Sequence, residues 1–236
     1  NMPMAYWGEA MTYNHPLWSE QDYEAATEVL NELQEIDLEK HATELESDFI
    51  KSVFILYKPK MEKKERDVAY AAFMADLNEK YPSNHEVAAF YAISLLGSVP
   101  EGRDDLLYGQ GAKIAQGILK ENPNHPGALH YLIHSYDDPE HANLALDAAN
   151  AYSQVAPDAS HALHMPSHIY VALGRWDDVV TSNIASWNAS VKKMERKALK
   201  DDARSYHAFN WLQYGFLQRG EFDKAGKVLP VVITVY

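Results

Sequence analysis

The 236-residue chain contains no cysteine. That excludes disulfides, thiolate metal sites and a cysteine nucleophile. It has no apolar run approaching the roughly 20 residues that a membrane-spanning helix needs. Basic residues are scarce beside acidic ones: 21 Lys and Arg against 34 Asp and Glu leave a formal net charge of −13. A surface of that sign repels phosphate backbones and argues against nucleic acid as a partner, while it suits cations and basic peptides. Also absent are a phosphate-binding loop, a Gly-x-Ser-x-Gly elbow and a dinucleotide fingerprint. His85-Glu86 opens like a zinc-protease motif, but Ala89 stands where the second histidine belongs. No secretory signal is visible at residue 1. The chain opens within a helix-like stretch, Met4-Ala5-Tyr6-Trp7-Gly8, so it reads as a mature or partial product, compatible with a secreted or periplasmic location.

What is present is a folded composition, 47% hydrophobic, and an internal repeat. Setting Pro123 against Pro157, a shift of 34, places Ala128-Leu129-His130 on Ala162-Leu163-His164, His134 on His168 and Tyr136 on Tyr170. A 34-residue period is that of helix–turn–helix repeats of the tetratricopeptide type. Gly174-Arg175-Trp176-Asp177-Asp178 and Gly220-Glu221-Phe222-Asp223-Lys224-Ala225 read as two copies of the turn inside such a repeat. The expected fold is therefore all-α, a right-handed solenoid of about six helix pairs. First helices are expected near 3–14, 39–57, 84–98, 126–136, 160–173 and 202–219. Second helices are expected near 19–35, 63–80, 103–121, 139–154, 176–198 and 221–229. Pro82, Pro123 and Pro157 close second helices, because proline cannot continue a helix. Lys58–Arg66 reads as a charged linker. Trp187, Trp211, Phe209 and Phe216 read as packing between repeats. Residues 1–229 make the solenoid, and residues 230–236, Pro-Val-Val-Ile-Thr-Val-Tyr, make a β-prone tail. That tail is either the start of a further helix pair or a short C-terminal β-strand that pairs with another chain.

Eleven histidines are present, eight of them between residues 125 and 207. His130 and His134 lie four apart, so they share one helix face; His164 and His168 repeat that pair one period later. Neighbouring helices pack about 8–10 Å apart, a gap that two imidazoles span to a shared ion. The expected metal ligands are His130, His134, His164 and His168, joined by His161, His125 and His207. An all-imidazole set suits a transition metal, with Cu or Zn favoured over hard ions such as Ca or Mg. Tyr131, Tyr170 and Asp137, with Tyr136 and Asp138, are candidates to orient the rings. His15, His41, His85 and His141 read as ordinary surface or core residues. Pro166 falls inside a predicted helix, as a kink or in the first turn of a late-starting helix.

Ala5-Tyr6-Trp7-Gly8-Glu9-Ala10-Met11, His125-Pro126-Gly127-Ala128-Leu129-His130-Tyr131-Leu132-Ile133-His134 and His164-Met165-Pro166-Ser167-His168-Ile169-Tyr170 resemble the tetratricopeptide-repeat superfamily, and within it a bacterial subgroup. The resemblance implies an interaction scaffold that binds proteins or peptides in its concave groove or stacks into assemblies. Histidine stands where the superfamily's peptide clamp carries Lys and Asn, which argues against ordinary carboxylate-terminus binding. Three functions follow as expectations. The first is a metal-binding repeat scaffold. The second is a module that associates with partners or with copies of itself through solenoid ends and tail, without metal. The third is a metal-dependent enzyme, ranked last because no general acid or base is placed by the sequence. A pH-sensitive peptide or anion clamp is a variant of the second.

Overall fold

The computed structural model describes residues 2–233, and among them helices dominate. The chain forms two compact units, residues 1–115 and 116–236. Unit 1 holds α1 (Pro3–Thr12), a two-residue antiparallel ladder of β1 (Asn14–His15) and β2 (Glu20–Gln21), α2 (Tyr23–Gln34), the short α3 (Leu38–His41), α4 (Glu44–Leu56), α5 (Lys63–Lys80) and α6 (His85–Gly97). The division falls within α7 (Asp105–Glu121). Unit 2 holds α8 (Pro126–Ser135), α9 (Leu146–Val155), α10 (Ser160–His164), α11 (Pro166–Ala172), α12 (Trp176–Arg196), α13 (Tyr206–Gln218) and α14 (Phe222–Ile233). No helix is long and apolar enough to cross a membrane among the described residues.

Helix ends follow local chemistry. Asp22 accepts a hydrogen bond from Ala25 N, Asn84 from Val87 N, and Thr43 forms a reciprocal capping box with Glu46. The two turn glycines close their helices with the same device. Gly174 (φ 67°) and Gly220 (φ 70°) take the left-handed backbone. Gly174 N donates to Val171 O and Arg175 N to Tyr170 O, while Gly220 N donates to Leu217 O and Glu221 N to Phe216 O. Each pair of bonds is a Schellman closure, which needs a residue that tolerates positive φ.

In unit 1, Trp7, Phe49 and Phe90 meet edge to face at 5.3–5.6 Å, and Tyr57 donates to Ala10 O at 2.9 Å. Arg66, expected in a linker, is buried within α5. Its guanidinium donates to Leu56 O, Met61 O and Gln21 Oε1, pinning the α4–α5 connection. Gly8, on α1, has open space around its Cβ direction. In unit 2 the apolar contacts of α12, α13 and α14 centre on Val180, Leu212, Phe216, Ala225 and Val228.

Two expectations change. The second helix of the fourth pair starts late, at Leu146, after a 3-10 turn over Ala142–Ala145. The tail is not a strand as far as it is described: α14 runs through Pro230 to Ile233. Residues 234–236 lie outside the described residues.

Candidate metal centre

The first helices of the last three pairs, α8, α10–α11 and α13, carry the clustered histidines. Within α8, His130 and His134 sit one turn apart with Nε2 atoms 3.0 Å from each other. His161, on α10, brings its Nε2 to 3.0 Å from His130 Nε2. These three rings form one convergent trio; His164, His168 and His207 form a second. In the second, His164 Nε2 and His168 Nε2 are 3.2 Å apart, and the His207 ring lies 4.7 Å from the His164 ring. Rings of the two trios meet where His134 faces His168 at 5.9 Å and His161 faces His164 at 6.5 Å.

Pro166 shapes the second trio. It has no N–H to bond Ala162 O, so the helical ladder breaks between α10 and α11 while Met165 keeps right-handed backbone angles (φ −52°, ψ −37°). The result is a kink between His164 and His168, with Pro166 in the first position of α11, where its missing donor costs nothing. His168 N then bonds Met165 O instead.

Hydrogen bonds fix the tautomers of the second trio. Asn183, fully buried on α12, donates through Nδ2 to Val179 O at 2.8 Å. That orients the amide, so its Oδ1 faces His164 Nδ1 at 2.7 Å. An amide oxygen accepts only, so His164 Nδ1 carries the proton and its Nε2 is a bare lone pair. Ser167 Oγ donates to His164 O and lies 3.3 Å from the same Nδ1. Likewise the Asp137 carboxylate, 2.7 Å away, accepts a hydrogen bond from His168 Nδ1, which carries the proton. In the neutral state two lone pairs therefore confront each other at 3.2 Å. Only a cation between them, a proton or a metal ion, makes that contact attractive. Three tetrahedral bonds of about 2.0–2.1 Å place imidazole nitrogens about 3.3–3.4 Å apart, close to the separations here. In the first trio, His130 Nε2 offers one proton or one lone pair, so a hydrogen bond serves one of its two close contacts, whereas an ion serves both.

The surroundings favour the neutral form of five of the rings. Burial pushes His164 down to about 3, helped by the neighbouring histidines and opposed by the Asn183 bond. Burial also lowers His130 to about 3 and His161 to about 4, and it lowers His134 and His207. Neutral imidazole is the ligand form. Aromatic walls contribute: Tyr152 stacks on His130 at 5.3 Å, and Trp211 lies 4.4 Å from His168 and edge-on to His164 at 5.1 Å.

Six of the seven expected ligands are thus brought together. His125 is not. It caps α8, accepting from Ala128 N through Nδ1, because it stands immediately before Pro126 at the first helical position. Of the orienting residues, Asp137 bonds His168 and Tyr131 touches the His130 ring at 5.6 Å. Tyr170 turns away, donating to Asn150 Oδ1 under the Arg175 guanidinium. Asp138 and Tyr136 serve His141 instead. Asn183, Trp211 and Tyr152 were not foreseen.

These hairpins place the chain in the class of all-α tetratricopeptide-like solenoids. Solved structures share that fold. One is "MamA RS-1 ArsTM double mutant", at 13% identity and TM-score 0.61, covering 80% of this chain and 93% of that one. Another is "MamA 41-end from Desulfovibrio magneticus RS-1", at 14% identity and TM-score 0.59, with the same coverage. At such identity the likeness establishes fold alone. No protein-family model and no curated protein matches the sequence.

Proposed function

We propose that this chain is a helical-repeat scaffold that holds a transition metal on the histidines of unit 2. The observation that carries the reading is the contact between His164 Nε2 and His168 Nε2, two lone pairs held face to face by protons committed to Asn183 and Asp137. A proton alone would satisfy two rings; the convergence of His207 as a third ligand favours an ion. Copper and zinc both suit imidazole. The test is elemental analysis of untagged protein beside a His164→Ala/His168→Ala variant. We expect at least one equivalent of transition metal, reduced in the variant. A chain that takes up neither Cu nor Zn on incubation overturns the proposal.

A second reading, a scaffold that associates with copies of itself, rests on a different observation. Tyr214, Leu217 and Phe222, on α13 and α14, all stand exposed to solvent. Such side chains, clustered, mark protein contacts. Light scattering over a concentration series should show a rising mass; a monomer throughout sinks this reading.

A further inference from the structure

One trio suffices for the metal reading, yet the fold builds two. We infer that the two trios form a single paired-ion centre for copper(I), and that the ligand shared by the pair is dioxygen. This rests on the metal reading above.

Ligand number points first to copper. Each trio offers three nitrogens, with no carboxylate or sulfur among the ligand atoms. A structural zinc site takes four protein ligands, whereas a catalytic one takes three and keeps an open position, so ligand number excludes structural zinc alone. Copper(I) is satisfied by three imidazoles and keeps an open position. The two open positions lie side by side, because His134 meets His168 and His161 meets His164 across the boundary between the trios.

Charge points the same way. Imidazole binds an ion as a neutral ring, so these six ligands bring no charge of their own, and the Asp137 carboxylate reaches the centre only through His168. Two divalent ions would place four positive charges in a partly buried pocket; two copper(I) ions place two. The cost of burying an ion rises with the square of its charge, so the monovalent pair is strongly preferred.

The same balance is kept when the shared ligand is dioxygen, whose chemistry copper supports. Each copper(I) gives one electron to the molecule. The products are two copper(II) ions and one peroxide dianion bridging them. Four positive and two negative charges leave the same net charge as before. No proton, outside reductant or leaving group is required, and reversal returns dioxygen and two copper(I). Tyr152 stacks on His130 and Trp211 lies against His168, so each trio has an aromatic ring on one side.

The test uses the untagged full chain, stripped with chelator, loaded with copper(I) without air and desalted. We expect two copper ions per chain. On admitting oxygen we expect no copper(II) resonance, because the two spins couple through the bridge, and an O–O Raman stretch that shifts with heavy oxygen. Two coppers that each become visible by electron paramagnetic resonance overturn the inference, as does a single copper per chain or preferential uptake of zinc in competition with copper(I). No copper at all overturns the metal reading itself. His130→Asn, which removes the central ring of the first trio, should hold one copper and show its resonance in air; a variant still holding a silent pair overturns the inference. If that variant loses helical circular dichroism, His161→Gln takes its place with the same expected outcome.

Discussion

Acidification of the metal-free protein is the perturbation that probes the site most directly. His164 is almost fully buried and His130 half-buried, with native values near 3, against about 6.5 for an unfolded imidazole. The native values are depressed, so between these limits the unfolded chain binds more protons. Stability is then complete above about pH 6.5 and is lost as pH falls toward about 3. At about pH 5 an unfolded imidazole is almost wholly charged and a native one almost wholly neutral, which costs about 2 kcal/mol per ring. The two rings together lose about 4 kcal/mol at most, since neighbouring imidazoles compete for the same proton, out of a total that is about 5–15 kcal/mol for ordinary domains. Carboxylates act differently: Asp67, raised by burial, takes up a proton more readily in the folded chain and offsets part of the loss. Asp48, although burial alone raises it, is brought to about 2 by its bonds to Lys51, Lys80 and Tyr81, so its contribution changes only at lower pH. The assay is urea unfolding of chelator-treated protein at about pH 7 and about pH 5, followed by fluorescence of Trp211 beside the rings. The midpoint should fall by up to about 1–4 M, given slopes of about 1–3 kcal/mol per molar. His164→Asn should remove part of the loss and leave the rest, because His161, His134 and His207 are depressed as well. An unchanged midpoint, or the same loss in His164→Asn, refutes the reasoning.

Two further outcomes are expected. Asn183→Leu removes the acceptor that fixes the His164 tautomer and should weaken metal binding by about 10–100-fold in a chelator competition, whereas unchanged affinity means the tautomer is set elsewhere. Gly97→Ala places a Cβ 2.7 Å from the Pro16 Cβ, a ring atom that cannot swing aside, and should cost about 1–3 kcal/mol, read as a lowered thermal midpoint; a neutral result means that α6 and the Pro16 turn separate freely.

The repeat was legible because spacing survives without any knowledge of contacts: the 34-residue shift, the turn glycines and the closing prolines mark helices that the structure contains. The i,i+4 histidines were legible for the same reason. Contacts between helices were not. Nothing near Asn183 in the sequence reveals that it lies beside His164, 19 residues away. Trp211 looked like packing because an indole beside an imidazole and one beside a leucine leave the same pattern. His125 carried a usable signal, since a side chain directly before a helix-opening proline is in the capping position, and that signal outweighs its membership of the histidine cluster. For the tail, composition left a helix and a strand both open, and as far as it is described the helix already under way continues through Pro230 to Ile233.

The six convergent rings also have a mechanical meaning. Repeat arrays bend readily because each hairpin touches only its neighbours. Here His130 and His134 belong to α8, His161, His164 and His168 to α10 and α11, and His207 to α13, so the rings tie three successive hairpins at one point. An ion bound there is a rivet through three leaves of a spring. It stops the stretch from residue 126 to residue 218 from flexing and sets the curvature of whatever surface that stretch offers, so metal occupancy becomes a stiffness that a partner can feel without touching the metal.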